Sequence, residues 1–416
     1  MTKWAALIAV LMLAASGANA GQAVASLDWP QWRGPNRDDV STETGLLKKW
    51  PEGGPKLLWT AKGLGSGFSG LAIVGDKMFT MGDVDGSSHV IALNVKDGSG
   101  LWKTKIGKPG GSMGAGGRST PTVDGNFVYA LGQFAELGCF QAADGKEVWS
   151  KNLMTDFGGQ MAKMNWQYSE SVLIDGNLLL CTPGGPQGTM LALDKKTGAK
   201  VWQTSEITDP AHYSSIIAAD IGGVHQYIQL TAAHVFGVDA KSGKVLWSAP
   251  RKGATAVIPT PIYYDNYVFV TSGYGIGDNC FKIDSTGGTF KVEQVYAGKD
   301  IIDHHGGVVR VGEYIYGHSD SGGWTCLEMK TGKVKWQNNG VGKGSCTYAD
   351  GHLYCRSEGP KGTIALVEAT PEAYKEDGRF DQPNRTKSQS WTHPVICGGK
   401  MYIRDQDMLL CYDVKA

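Results

Sequence analysis

The sequence predicts an all-β fold: an eight-bladed β-propeller of four-stranded antiparallel blades, its ring closed by an N-terminal strand around Trp59 that joins the last blade. Three observations carry this. An eleven-residue phrase recurs along the chain, Asp-Gly hairpins precede its copies, and the copies start 39 to 53 residues apart. A repeat near this length, made of strands and tight turns, is the mark of a propeller blade.

The phrase has the form small–x–(Asp/Asn/Gln/Glu)–x3–Gly–x3–Trp. In chain order it reads "ALNVKDGSGLW" (92–102), "CFQAADGKEVW" (139–149), "ALDKKTGAKVW" (192–202), "GVDAKSGKVLW" (237–247) and "CLEMKTGKVKW" (326–336). Degenerate copies fall at "KIDSTGGTFKV" (282–292) and "ALVEATPEAYK" (365–375), and a truncated one, "CYDVKA" (411–416), ends the chain. The hairpins "STPTVDGNFVYALG" (119–132), "SESVLIDGNLLLC" (169–181) and "SCTYADGHLYC" (345–355) set β-prone residues on both sides of Asp-Gly, which favours positive φ and tight turns. Each unit therefore holds two strands around that turn, one ending in the small–x–acid triplet and one carrying the Trp. The last copy lacks its Trp strand, and "PKLLWTA" (55–61) supplies it, with Trp59 lying 43 residues before Trp102. Trp59, Trp102, Trp149, Trp202, Trp247 and Trp336 are the expected structural residues, each burying a large ring between blades.

The remaining organisation follows from composition. Residues 1–20 read as a signal peptide: Lys3, the apolar run "WAALIAVLMLAA" and the small-residue site Ala18-Asn19-Ala20. Residues 21–54 form an N-terminal extension and 55–416 the propeller. No Cys follows the apolar run, so the expectation is a periplasmic or secreted protein without a lipid anchor or a transmembrane segment in the mature chain. Lys plus Arg and Asp plus Glu each total 40, so no net field attracts nucleic acid.

The phrase resembles the tryptophan-docking motif of the pyrroloquinoline-quinone (PQQ) like propeller family, with five good and three partial copies over about residues 55–416. "DWPQWRGPNRDD" (28–39) is similar to the N-terminal extension of its secreted bacterial members. The resemblance implies one of two roles. One branch consists of quinoprotein alcohol dehydrogenases that hold PQQ against calcium. The other resembles the propeller of the outer-membrane barrel-assembly machine, a lipid-anchored scaffold that binds partner chains. This chain has neither the adjacent cysteines of the dehydrogenases nor a C-x-x-C-H haem site. The reading is therefore an exported binding scaffold, with a PQQ- and calcium-dependent alcohol or polyol dehydrogenase as the alternative.

A site is expected where loops lead into the innermost strands around the channel. Aligning the units puts Phe68, Arg118, Glu170, Ile258, His305 and His393 at equivalent positions, with blade four near Ser214-Ser215. Arg118, Glu170, His305 and His393 would converge on one mouth for a protein partner or a small anionic or quinone-like ligand, Glu170 serving as base or metal ligand. The loop 107–118 offers an anion nest beside Arg118, and 154–168 brings Met161, Met164 and Trp166 to stack on whatever binds. "DIIDHHGG" (300–307) clusters Asp300, Asp303, His304 and His305, but adjacent His on a strand point to opposite faces, which disfavours one metal shared by both, and ordinary loop polarity is the expectation there.

Other motifs carry less. "LTAAHVF" and "SDSGGW" imitate protease motifs through His234 and Ser321, but they occupy corresponding loops two blades apart, too far for triad contact. "GSGFSG" (65–70) precedes a strand, not a helix, and "DVDGSS" (83–88) lacks the distal Glu of a calcium loop. Of the eight cysteines, Cys139, Cys326 and Cys411 fill the small slot of the phrase, whereas Cys346 and Cys355 face each other across a predicted hairpin and are candidates for a cross-strand disulfide.

Overall fold

The computed structural model describes residues 28–110, 116–163 and 166–416. The expected signal peptide and Met164 lie outside these residues. Among the described residues the strands form eight antiparallel sheets, run in chain order from the inner to the outer edge. Blades one to eight span 72–107, 122–152, 173–203, 217–250, 262–298, 308–338, 344–380 and 395–413. The strand Lys56–Ala61 pairs antiparallel with Met408–Asp413, Trp59 opposite Cys411, and so completes blade eight from the other end of the chain. Blade seven carries a fifth strand, Val40–Ser41, laid parallel against Gly344–Ala349 on its inner edge. The only helix among the described residues is the short Leu153–Phe157.

The hairpin turns differ from the expected Asp-Gly centre in two blades. Asp124 pairs with Phe127 and Asp175 with Leu178, so the turns are Gly125-Asn126 and Gly176-Asn177. Their glycines take φ of 56° and 55°, the first-position glycine of a type II′ turn. In blade seven Asp350-Gly351 is central as expected, with φ of 48° and 87°.

Each position of the phrase now has a physical role. The small residue sits directly opposite the Trp on the neighbouring strand: Ala92 with Trp102, Cys139 with Trp149, Ala192 with Trp202, Gly237 with Trp247, Cys326 with Trp336. A bulge beside each pair tilts the indole toward the next blade. There the ring lies on the phrase glycine of that blade. A Cβ on Gly98 would come 2.7 Å from Trp59, on Gly145 2.4 Å from Trp102, on Gly198 2.9 Å from Trp149 and on Gly243 2.4 Å from Trp202. These glycines also hold φ near +70°, so both the ring and the backbone exclude a side chain. The indole N–H then donates to a carbonyl just upstream of that glycine: Trp102 to Ala142 at 3.2 Å, Trp149 to Lys195 at 3.0 Å, Trp202 to Ala240 at 3.1 Å.

Where the phrase decays, other aromatic residues take over. In blade five the small slot is Cys280, not Lys282, because the strands Gly277–Thr286 and Thr289–Gly298 make a longer hairpin. Tyr296 stands opposite Cys280, its hydroxyl donates to the Met329 carbonyl at 2.8 Å, and its ring covers Gly332 as the tryptophans cover their glycines. Blade seven puts Arg379 opposite Ala365. Trp50, from the segment before the ring, fills the gap: it is buried against Phe380 and Tyr354 in the core shared by blades seven and eight. Trp247 also departs, its indole donating to Gln226 Oε1 at 2.8 Å within its own blade.

The register puts Cys346 opposite Cys355 as expected, but the disulfide is not formed in the structure. Both are buried free thiols, packed as small apolar side chains in the core between blades six and seven, and the other six cysteines are likewise free and buried.

Two substitutions test this account. Trp202→Ala should lower unfolding stability by about 3–5 kcal/mol, because the pocket between blades cannot refill. Trp50→Ala should cost a similar amount although Trp50 lies outside every repeat; a loss under about 1 kcal/mol in denaturant titration would show that the ring closes without it.

Candidate functional site

The segment 28–41 lies across the propeller axis. Trp29 bridges to Ile73 of blade one, and the Pro30 carbonyl accepts from Val123 of blade two. Arg37 donates to the Ser171 and Val172 carbonyls of blade three at 2.6 and 3.1 Å. Trp32 Nε1 donates to Thr260 Oγ1 at 3.0 Å in the loop leading into blade five, and Arg33 to the Val308 carbonyl of blade six at 2.6 Å. Asp39 accepts at its carbonyl from Tyr348 of blade seven and at its carboxylate meets His393 of blade eight at 2.8 Å. A segment that touches the inner edges of seven blades must occupy the axis, so the channel is blocked.

This strap is held in an uncommon backbone form, with Arg33, Arg37 and Asp39 all at φ near +60°. Buried charge fixes it. Arg33 pairs with Asp39 at 3.0 Å, both about 1% exposed. Burial lowers the Arg37 guanidinium to about 10, and Glu170 opposes that shift. Burial raises the Glu170 carboxyl to about 8, against the bonds it accepts from Thr182 N at 2.7 Å and Thr182 Oγ1 at 3.0 Å.

Above the strap is a blind chamber of ≈ 90 Å³. Trp32 forms its floor. Phe68 and Trp391 are stacked at 4.5 Å, Trp166 and Tyr213 at 5.3 Å, and Ile258, His304, His305 and the hydroxyl residues Ser169, Ser171 and Ser215 also line it. Arg118 links the two aromatic pairs: its guanidinium lies 5.2 Å from the Phe68 ring centre and donates to the Trp166 carbonyl at 2.9 Å. Burial lowers Arg118 to about 10, so it stays cationic at neutral pH. His305 Nε2 and Glu358 Oε2 are 2.8 Å apart, and Trp391 Nε1 donates to the same oxygen at 2.8 Å. Burial holds His305 below its ordinary value and His304 down at about 4, which leaves both imidazoles neutral at pH 7.

The chamber opens upward into a groove of ≈ 840 Å³ bordered by Trp166, Tyr274, Lys343, Glu358, Arg385, Lys387 and Trp391. Tyr274, 55% exposed and at φ 55°, stands edge-on to His304 at 4.8 Å on the lip.

The structure thus brings Arg118, Trp166 and His305 to one surface, with Phe68, Ile258 and His304 beside them. Glu170 is not there: its carboxyl turns into the interior, accepts from Thr182 N and Oγ1, and is held mostly protonated at neutral pH by burial. His393 lies beneath the floor, its ring 4.6 Å from Trp32. Met161 packs in the core between blades two and three. Asp303 is buried, accepting from Gly307 N at 3.0 Å. His234 bonds Asp209 and Ser321 bonds Ser319 and the Lys299 carbonyl, each engaged locally. Sequence reasoning missed Trp32, Tyr213, Tyr274 and Trp391, although Trp391 directly precedes the aligned Thr392-His393 pair.

A calcium-held quinone does not fit this site. Among the described residues no three His, Cys, Asp or Glu side chains are placed to hold a metal ion. The carboxylate on the groove above, Glu358, has its Oε2 engaged by His305 and Trp391. The chamber is also well below the ~300 Å³ at which pockets begin to enclose a drug-sized ligand.

Comparison with known proteins agrees with this architecture. Residues 86–338 match the family described as outer membrane protein assembly factor BamB. A curated relative, outer membrane protein assembly factor BamB of Burkholderia pseudomallei (strain K96243), is 26% identical over 248 residues, which are 48% of this chain and 60% of the relative's length. In three dimensions the chain superposes on BamB from Moraxella catarrhalis with a TM-score of 0.62 at 14% identity, covering 86% of this chain and 98% of that one. It superposes on quinohemoprotein alcohol dehydrogenase from Comamonas testosteroni with a TM-score of 0.61 at 11% identity, covering 94% and 81%. The two solved structures share the fold, and the sequence match decides between them: this chain, a PQQ-like propeller, belongs to the outer membrane protein assembly factor BamB family.

Proposed function

We propose that this protein is an exported scaffold that docks a polypeptide partner on the mouth of its ring and contributes to outer-membrane protein assembly. The blocked channel carries this reading. With the axis filled by residues 28–41, nothing passes through the ring, and the mouth is left as a blind aromatic recess on a rigid frame. Aromatic and Arg side chains around a recess are the usual anchors of protein interfaces. Trp166, Tyr274, Trp391 and Arg118 have that character, and family membership names the process they would serve. A periplasmic location agrees with the N-terminal sequence. The dehydrogenase alternative has the fold in its favour and, among the described residues, no donor set for its metal.

Deleting the gene should lower the steady-state level of outer-membrane β-barrel proteins, and the wild-type chain should restore it. A Trp166→Ala/Tyr274→Ala variant with unchanged melting temperature should fail to do so, its partner affinity reduced roughly 30-fold, as expected for loss of a hot spot. Normal barrel levels without the protein would overturn the reading. Mixing the purified protein with PQQ and calcium should give neither a bound-cofactor absorption band nor alcohol-dependent dye reduction; either signal would restore the dehydrogenase alternative.

A further inference from the structure

The chamber and the groove above it differ in size and in charge. An engineered apolar cavity of about 150 Å³ accepts benzene, so a chamber of ≈ 90 Å³ with an open top has room for one side chain and not for a fused ring system. Its walls are ring faces and edges, the Phe68–Trp391 and Trp166–Tyr213 pairs with Trp32 below. Aromatic rings pack best against such surfaces in offset or edge-on geometry. Arg118 supplies the only charge of the chamber lining among the described residues.

The groove is different. Lys343, Arg385 and Lys387 border it with Glu358, whose Oε2 is taken up by His305 and Trp391. Two of the cations are offset by anionic partners set behind them, Lys343 by Asp320 at 2.8 Å and Arg385 by Asp405 at 2.8 Å, so both side chains are held in place along the border. Among the described residues Lys387 is the border cation outside any ion pair. Tyr274, exposed in a sparsely populated backbone conformation, sits where the two regions meet.

We propose that the mouth receives an aromatic side chain borne on an acidic segment of a protein partner. The ring enters the chamber between the two stacked pairs, and the flanking carboxylates face Arg118 and Lys387. This rests on the docking role proposed above and specifies what the partner presents. A basic segment would set like charge against Arg118 and Lys387, and an aliphatic side chain leaves the ring surfaces poorly matched.

Calorimetric titration of the full chain with Ac-Gly-Glu-Phe-Glu-Gly-NH2 tests it. Saturable one-to-one binding is expected, at least tenfold weaker when Phe is replaced by Ala or both Glu by Lys, and weaker as salt rises. Ile258→Trp, which fills the chamber, should abolish it with the melting temperature retained; if that variant does not fold, Trp166→Ala should weaken binding at least tenfold. Equal binding of the three peptides, binding of free phenylacetate as tightly as the peptide, or full binding to the folded variant would overturn the inference. Intact partner capture by Ile258→Trp would sink this inference alone, whereas loss of the deletion phenotype would sink the docking role itself.

Discussion

The ring depends on one contact repeated around it: an aromatic side chain from an outer strand lying on the turn glycine of the following blade. The contact joins two requirements in one residue. The glycine must hold φ near +70° to close its own hairpin, and it must lack a Cβ because a neighbouring indole fills that space. No blade satisfies either side alone, so a blade in isolation would expose its ring and leave its turn uncovered. The indole hydrogen bond to a carbonyl near that glycine fixes the rotation between blades as well as their distance.

The contact recurs at five of the eight interfaces, and the departures show that tryptophan from the repeat is not the only side chain that can join two blades. Tyr296 reaches the same kind of glycine from a longer hairpin and replaces the indole N–H with a hydroxyl. Trp50 arrives from outside the ring to serve the one interface whose outer strand offers Arg379. Trp59 closes the circle from the far end of the chain, opposite Cys411. Sheet edges that would otherwise meet solvent are thereby paired within the chain.

The second constraint is the strap. Two arginines and an aspartate buried at the axis would be costly alone, but Arg33 is offset by Asp39, and Arg37 by the oxygens of Gln31, Ser171 and Val172 to which it donates. The strap converts a channel into a recess: Trp32 becomes its floor, and His393 supports that floor from below through Asp39. The strap therefore binds the ring together and shapes the surface that faces a partner. With both imidazoles neutral, Arg118 is the one charge in a mostly aromatic lining among the described residues.

The repeat, its period and the closing strand were legible in the sequence because they are local: small residue, turn glycine and Trp all lie within eleven positions, and strand pairing preserves that order. The PQQ-like likeness is equally local. Tertiary structure alone decided the rest. The strap's path across the axis joins residues up to 354 positions apart, as Asp39 and His393 show, and no spacing encodes it. Alignment of the loops placed Arg118 and His305 on the recess but could not tell that Glu170 turns inward, since adjacent residues on an extended backbone point to opposite sides. Trp32, Trp391 and Tyr213 meet only because the ring is closed, and the recess exists only because the strap fills what lies beneath it.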